Sequence, residues 1–211
     1  MKVKVCGITS YEDAVMVLDQ GADALGFNFY RKSPRFIHPA DARLIIRKLP
    51  PFAVNVGLFV NVEQPEEAAD MALLAGVQIL QLHGDETPEY CRQLTDWPLI
   101  KAVRIGGERI GEKLEDYPVQ AFLLDSRDET LFGGTGRTFD WTRVSEIKTF
   151  RPLILAGGLH PGNVGEAIRA VKPYAVDVCS GVENAPGKKD AGKLARFLNE
   201  VRHVSKSLQR T

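Results

Sequence analysis

The sequence predicts a single (β/α)8 TIM barrel with a parallel eight-stranded core, built from residues 1–211 as one domain. Three observations carry this prediction. Eight short apolar runs each hand on to a segment with helical spacing, the alternation that yields a parallel sheet. The 211 residues divide among these units at roughly 26 each, near the lower size limit for a closed barrel. No Gly-x-Gly-x-x-Gly follows the first run, as an open doubly wound sheet would favour, and such sheets usually have fewer strands.

The elements follow in order. Val3-Lys4-Val5-Cys6 alternates with period two, which puts Lys4 and Cys6 on one face of the first strand. Gly7 ends it. Thr9 and Glu12 have capping-box spacing, and a helix is expected from Glu12 to Gln20 with Ala14, Val17 and Leu18 on its buried face. Ala24 to Phe29 is the second strand, followed by the basic loop Tyr30 to Arg35 and a helix from Pro39 to Lys48 that Pro50-Pro51 breaks. Val54 to Phe59 is the third strand. Pro65 to Ala75 is a helix with proline in its first turn and Gly76 past its end. Val77 to Leu82 is the fourth strand, and Thr87-Pro88 opens a helix to about Leu94. Leu99 to Val103 is the fifth strand, with a short helix expected over Arg109 to Leu114. Ala121 to Asp125 is the sixth strand. It enters the long loop Ser126 to Thr138, which contains Gly133-Gly134-Thr135-Gly136 and precedes a helix over Trp141 to Lys148. Leu153 to Ala156, a helix from Pro161 to Val171, Tyr174 to Cys179, and a last helix capped by Asp190 and running to about Lys206 complete the pattern.

Composition narrows the function. Lys plus Arg and Asp plus Glu are 27 each, so no broad field draws the chain to nucleic acid or an anionic membrane. No apolar run approaches the ~18 residues of a membrane span. The N-terminus enters a charged strand without a signal-peptide core. Three cysteines without motif spacing suit a reducing cytoplasm rather than a disulfide framework. The histidines, at 38, 83, 160 and 203, form no pair at metal-ligand spacing, so no metal is expected.

In a parallel barrel, residues that close strands share one mouth. Cys6, His83, Asp125, Gly157-Gly158 and Ser180-Gly181 are therefore expected to be spatial neighbours, with Asp177 just below the rim. The glycine turns after strands seven and eight suit a phosphate held by backbone N–H groups, with Gly181 to Asn184 as a short extra helix. Asp125 closes an apolar strand, where partial desolvation suits a carboxyl group to general-acid work. Cys6 is the complementary base, since a nearby cation or helix N-terminus lowers a thiol pKa. Lys4, one pleat below, is expected to pair with Asp177. Arg35 can grip a carboxylate with two donors. His83 reads as a hydrogen-bonded group rather than a catalyst. Cys6 as small apolar filler, Asp125 as a helix cap and Arg35 as a solvated side chain are the competing readings. Gly133-Gly134-Thr135-Gly136 lacks the Gly-Lys-Ser/Thr ending of a P-loop and reads as a loop over the site.

Lys4-Val-Cys-Gly-Ile-Thr9, Gly21-Ala-Asp-Ala-Leu-Gly26, Ser33-Pro-Arg35, Gln81-Leu-His-Gly84, Asp125-Ser126 with Gly133-Gly-Thr-Gly136, Ala156-Gly-Gly-Leu159 with Asn163-Val164, and Val176-Asp-Val-Cys-Ser-Gly-Val-Glu183 with Pro186-Gly187 and Lys189-Asp190 span the chain in order. Together they resemble the phosphoribosylanthranilate isomerase family of tryptophan biosynthesis. The resemblance implies a cofactor-free Amadori rearrangement of a small phosphosugar, with Cys6 as general base and Asp125 as general acid. It implies Arg35 on the anthranilate carboxylate, His83 and Asp177 in substrate contact, and phosphate at Gly157, Gly158, Ser180 and Gly181. Cys179 departs from the polar residue expected there. The resemblance leaves monomer and homodimer both open. Rival readings are another phosphosugar barrel, such as the histidine-pathway isomerase or indole-glycerol-phosphate synthase, and a non-catalytic phosphate-binding barrel. The histidine-pathway isomerase favours paired aspartates on strands one and five, and strand one here offers Cys6.

Overall fold

Side-chain parity along the strands decides what this chain buries and where. The computed structural model describes residues 1–104, 114–125 and 149–208. Eight strands close on one another in sequence order: β1 (Lys2–Cys6), β2 (Ala24–Asn28), β3 (Val54–Phe59), β4 (Ile79–Leu82), β5 (Leu99–Arg104), β6 (Ala121–Asp125), β7 (Leu153–Ala156) and β8 (Ala175–Val178). Every neighbouring pair is parallel, and β1 pairs with both β2 and β8. Helices α1 (Tyr11–Asp19), α2 (Pro39–Ile46), α3 (Pro65–Ala75), α4 (Pro88–Arg92), α5 (Val164–Val171) and α6 (Ala191–Leu208) lie among the connections.

The alternation of strand side chains splits the core into two layers. Outward residues such as Val3, Val5, Phe122, Leu124, Val176 and Val178 pack under the helices. Inward residues, among them Val56, Ile100, Ala102, Leu123, Ile154 and Ala175, fill the barrel as a second cluster. The same parity turns Lys4, Cys6, Gln81, Asp125 and Asp177 into the barrel. Gly26 on β2 leaves them room: a Cβ there would stand 2.9 Å from Cys6 Sγ and 3.0 Å from Lys4 Nζ.

Several boundaries differ from the sequence expectation. Ser10, not Thr9, caps α1: its Oγ accepts from the Asp13 amide at 3.2 Å, while the Thr9 hydroxyl donates to the Gly187 carbonyl at 2.6 Å. A long-range partner outbids the local cap. β4 begins at Ile79, because the Val77 amide still turns back to Ala72 of α3. α5 begins at Val164, because Asn163 Oδ1 accepts from the His160 amide at 2.8 Å and holds residues 160–163 as a loop. The segment after β8 is only a 3-10 turn, Ser180–Val182, and then a hairpin of β9 (Glu183–Ala185) and β10 (Lys188–Lys189), in place of a short helix. Asp190 caps the last helix as expected, its Oδ1 accepting from the Lys193 amide at 2.7 Å.

Of the expected helix over Arg109 to Leu114, only Leu114 is described, in a 3-10 turn at Leu114–Asp116. The loop Ser126 to Thr138 with its glycine run and the helix Trp141 to Lys148 lie outside the described residues. Among the described residues, no helix is long and apolar enough to cross a membrane. None of their His, Cys, Asp and Glu side chains form a group of three or more placed to hold a metal ion.

Candidate active site

The floor of the site is a buried ion pair. Register sets Lys4 opposite Asp177, and Lys4 Nζ lies 3.0 Å from Asp177 Oδ1, with the side chains only 5% and 8% exposed. Burial pushes the Asp177 carboxyl up to about 6, and the Lys4 charge opposes that rise. Burial alone would lower the Lys4 ammonium, but the negative charges of Asp177 and Cys6 outweigh it and hold it above its ordinary value.

Cys6 stands one pleat above Lys4. Val5 pairs with Val178, so Cys6 and Cys179 come next on adjoining strands. Their thiol groups interact. The hydrogen bond from Cys179 is the largest influence on Cys6 and lowers its pKa; burial opposes it, while Lys4 and Lys189 add to it. The Cys6 thiol consequently sits well below the ordinary range. Cys179 pays the reverse cost: the same contact and burial push it up, so only one of the pair ionises. Cys91 is pushed to about 11 by burial and is inert packing.

A second charged cluster sits beside Cys6. Lys189 Nζ donates to the Cys6 carbonyl and, at 2.7 Å, to Glu183 Oε1. Glu183 also takes two donors from Arg35: Nε at 3.0 Å and Nη2 at 2.6 Å. Burial would raise the Glu183 carboxyl, but the hydrogen bonds from Arg35 and Lys189 outweigh it and keep it below its usual value. The Glu183 hydrogen bond in turn raises Arg35. Arg35 is thus held at the rim by a carboxylate of the chain itself.

Asp125 closes β6 across the mouth. His83 Nε2 lies 3.2 Å from Asp125 Oδ2, and His83 Nδ1 lies 2.9 Å from Gln81 Nε2. The loop carrying His83 is anchored from behind. Lys101 Nζ donates to the Gly84 carbonyl at 2.7 Å and to Glu86 Oε2 at 2.9 Å, and Glu86 accepts from the Gly84 amide at 2.9 Å.

The glycine turns meet backbone to backbone. Gly157 and Gly158 take φ of +82° and +62°, the left-handed region that favours glycine. A Cβ on Gly158 would meet nothing within 4 Å, whereas one on Gly181 would strike the Leu159 carbonyl and stand 2.9 Å from His160 Cα. Asn163 Nδ2 donates to the Gly158 carbonyl at 3.0 Å and fixes the first turn.

Cys6, Asp177, Asp125, His83 and the four glycine-turn residues therefore share one mouth, with Arg35 beside Cys6. Sequence reasoning missed Glu183 and Lys189 as partners of Arg35 and Cys6, and Gln81 as partner of His83. Glu183 and Lys189 sit in a stretch whose Pro186-Gly187 signals a turn but whose spacing does not reveal which way its charges face.

Comparisons agree along the whole length. The model of the N-(5'phosphoribosyl)anthranilate (PRA) isomerase family matches residues 3–200. An N-(5'-phosphoribosyl)anthranilate isomerase of Trichlorobacter lovleyi is 49% identical over 97% of this chain and 99% of its own. A crystal structure of phosphoribosyl anthranilate isomerase in complex with reduced 1-(o-carboxyphenylamino)-1-deoxyribulose 5-phosphate superposes with a TM-score of 0.85 at 44% identity, covering 96% of this chain and 99% of that one. The Thermus thermophilus protein of the same name superposes at 0.84 with 40% identity, covering 97% of this chain and 100% of its own. With the matches running through every strand end that lines the mouth, the chain belongs to the PRA isomerase family.

Proposed function

We propose that this chain converts N-(5-phosphoribosyl)anthranilate into 1-(2-carboxyphenylamino)-1-deoxyribulose 5-phosphate by general acid–base catalysis, without a cofactor, as one domain working in the cytoplasm as a monomer or homodimer. One observation carries the chemistry: a thiol held well below its ordinary pKa faces, across one barrel mouth, a carboxyl group hydrogen-bonded by a histidine. Asp125 gives a proton to the furanose ring oxygen, the C1–O bond breaks, and the anilino nitrogen supplies the electron pair for a C1=N Schiff base. The Cys6 thiolate then takes the C2 proton, and the electron pair moves toward nitrogen to give an enolamine. Proton return to C1 with loss of the enol proton yields the ketone, so the step is a redistribution of protons with no net oxidation. General acid–base groups of this kind each contribute ~10²–10⁴ in rate.

The remaining residues hold the substrate in this reading. The backbone N–H groups around Gly157, Gly158, Ser180 and Gly181 suit a phosphate, whose charge backbone dipoles match without a net positive protein. Arg35 takes the anthranilate carboxylate, with Glu183 fixing its plane. His83 and Asp177 face the ribose from the wall and the floor.

Turnover of freshly prepared phosphoribosylanthranilate, followed by loss of anthranilate-type fluorescence, tests the proposal. Unmutated protein should turn over, and Asp125→Asn and Cys6→Ser should each lose activity by orders of magnitude. Absence of turnover in folded, unmutated protein sinks the assignment. Normal turnover in either variant returns that residue to a structural role.

A further inference from the structure

Gln81 lies on β4 with its side chain inside the barrel and is fully buried. Its two amide atoms are treated differently. Nε2 is directed at His83 Nδ1, 2.9 Å away. Oε1 is buried and meets no hydrogen-bond partner among the described residues. A buried amide oxygen without a donor costs stability, and a leucine or methionine would fill the same wall without that cost. Packing therefore does not account for an amide at this position. What the amide supplies is a fixed donor behind the histidine.

The consequence passes through the ring. An amide nitrogen is a donor only, so a Gln81 N–H aimed at Nδ1 requires Nδ1 to present its lone pair. The ring proton is then on Nε2, which points at Asp125 Oδ2, 3.2 Å away. Which nitrogen of a histidine carries the proton is set by the hydrogen bond the other makes. Asp125 Oδ2 thereby becomes an acceptor, and a proton carried by this carboxyl group must sit on Oδ1. The opposite arrangement, Nδ1–H with a bare Nε2, would draw the carboxyl proton onto Oδ2 and bury it against the ring.

We propose that Gln81 is a positioning residue for acid catalysis, fixing His83 as its Nε2–H tautomer so that Asp125 carries its transferable proton on Oδ1. The proposal rests on the reading of Asp125 as the general acid. Its tautomer component stands on the Gln81–His83–Asp125 chain alone.

The test is heteronuclear NMR of the protein labelled with 15N-histidine, with the His83 resonances assigned by their loss in His83→Asn. It is paired with steady-state kinetics on Gln81→Met and Gln81→Glu. The unmutated protein should show His83 with a protonated Nε2 and an unprotonated Nδ1. Gln81→Met should lose that preference, and kcat should fall about tenfold with KM little changed, as expected for a contact that acts in the transition state. Gln81→Glu, whose carboxylate accepts instead of donating, should turn the ring to Nδ1–H and lose at least as much. A His83 protonated on Nδ1 in the unmutated protein overturns the proposal. So does an unchanged tautomer in both variants, or unchanged kcat in variants whose tautomer has moved. If the unmutated protein does not turn over the substrate, the functional reading fails, while the NMR result still decides what Gln81 does to the ring.

Discussion

Cys6 owes its chemistry to neighbours that are themselves buried. A thiol on an apolar strand would ordinarily resist ionisation; Cys179, Lys4 and Lys189 reverse that. The ultraviolet absorbance of thiolate should therefore titrate in at least two separated steps, with Cys6 ionising first and Cys91 only toward about 11. Lys4→Met removes one of the cations, so the early step and the acid limb of kcat/KM should both move to higher pH. If the early thiolate step survives in Cys6→Ser, it belongs to another cysteine. The floor pair carries a stability statement as well. Asp177→Asn takes away the hydrogen-bonded counter-ion of Lys4 and leaves only the Cys6 thiolate to balance it, so a loss approaching the ~3–5 kcal/mol of a broken buried pair is expected in denaturant unfolding. A Lys4→Met, Asp177→Leu double variant should lose less, because neither charge is then stranded. The pH dependence has a definite sign. Asp177 holds its proton up to about 6 in the fold against an ordinary 3.8. Between those values the folded state binds more protons, so this group's contribution to stability falls as pH rises through that window. These residues were legible because period-two alternation on a strand leaves little choice of face. Cys6, Lys4 and Asp177 follow from counting alone. Arg35 was placed at the rim, but its partner Glu183 lies 148 positions away, and nothing local announces the pairing.

Among the elements, the hairpin of β9 and β10 was the least legible and does much of the positioning. Its two strands are three and two residues long, too short for any alternation to register. It nonetheless delivers Glu183 to Arg35 and Lys189 to the Cys6 carbonyl, tying the Arg35 and thiol ends of the site together. Glu183→Gln weakens both attachments. KM should rise by roughly one order of magnitude, in line with a lost charge-assisted contact, while kcat changes less. A KM that stays put would detach Arg35 from substrate binding. The cap of α1 shows why local motifs mislead. Thr9 and Glu12 satisfy the capping-box spacing, but Thr9 is taken by the Gly187 carbonyl of this same hairpin, and Ser10 caps the helix one residue later. Spacing registers what is possible locally; a tertiary partner decides which option is used.

Across the whole molecule, the alternation of eight strands with helices was readable because each parallel strand needs a crossover and so repeats the pattern. Equal numbers of acidic and basic residues were also readable, and with no net field the proposed recognition of the substrate's negative groups falls to local features, Arg35 and backbone N–H groups. The pairing of β1 with β8 has a further consequence, for the order in which the site comes into being. A ribosome delivers Lys4 and Cys6 well before Asp177, Cys179, Glu183 and Lys189. Until the last strand and its hairpin emerge, Lys4 lacks its Asp177 counter-ion and Cys6 is an ordinary thiol, so the growing polypeptide lacks the lowered thiol of the finished site. Two pieces made separately and divided between α4 and β5 should each be inert and regain turnover only when combined. Synthesis of the last strand and its hairpin is thus also the event that lowers the Cys6 thiol, and before it Cys6 ionises only as an ordinary cysteine does.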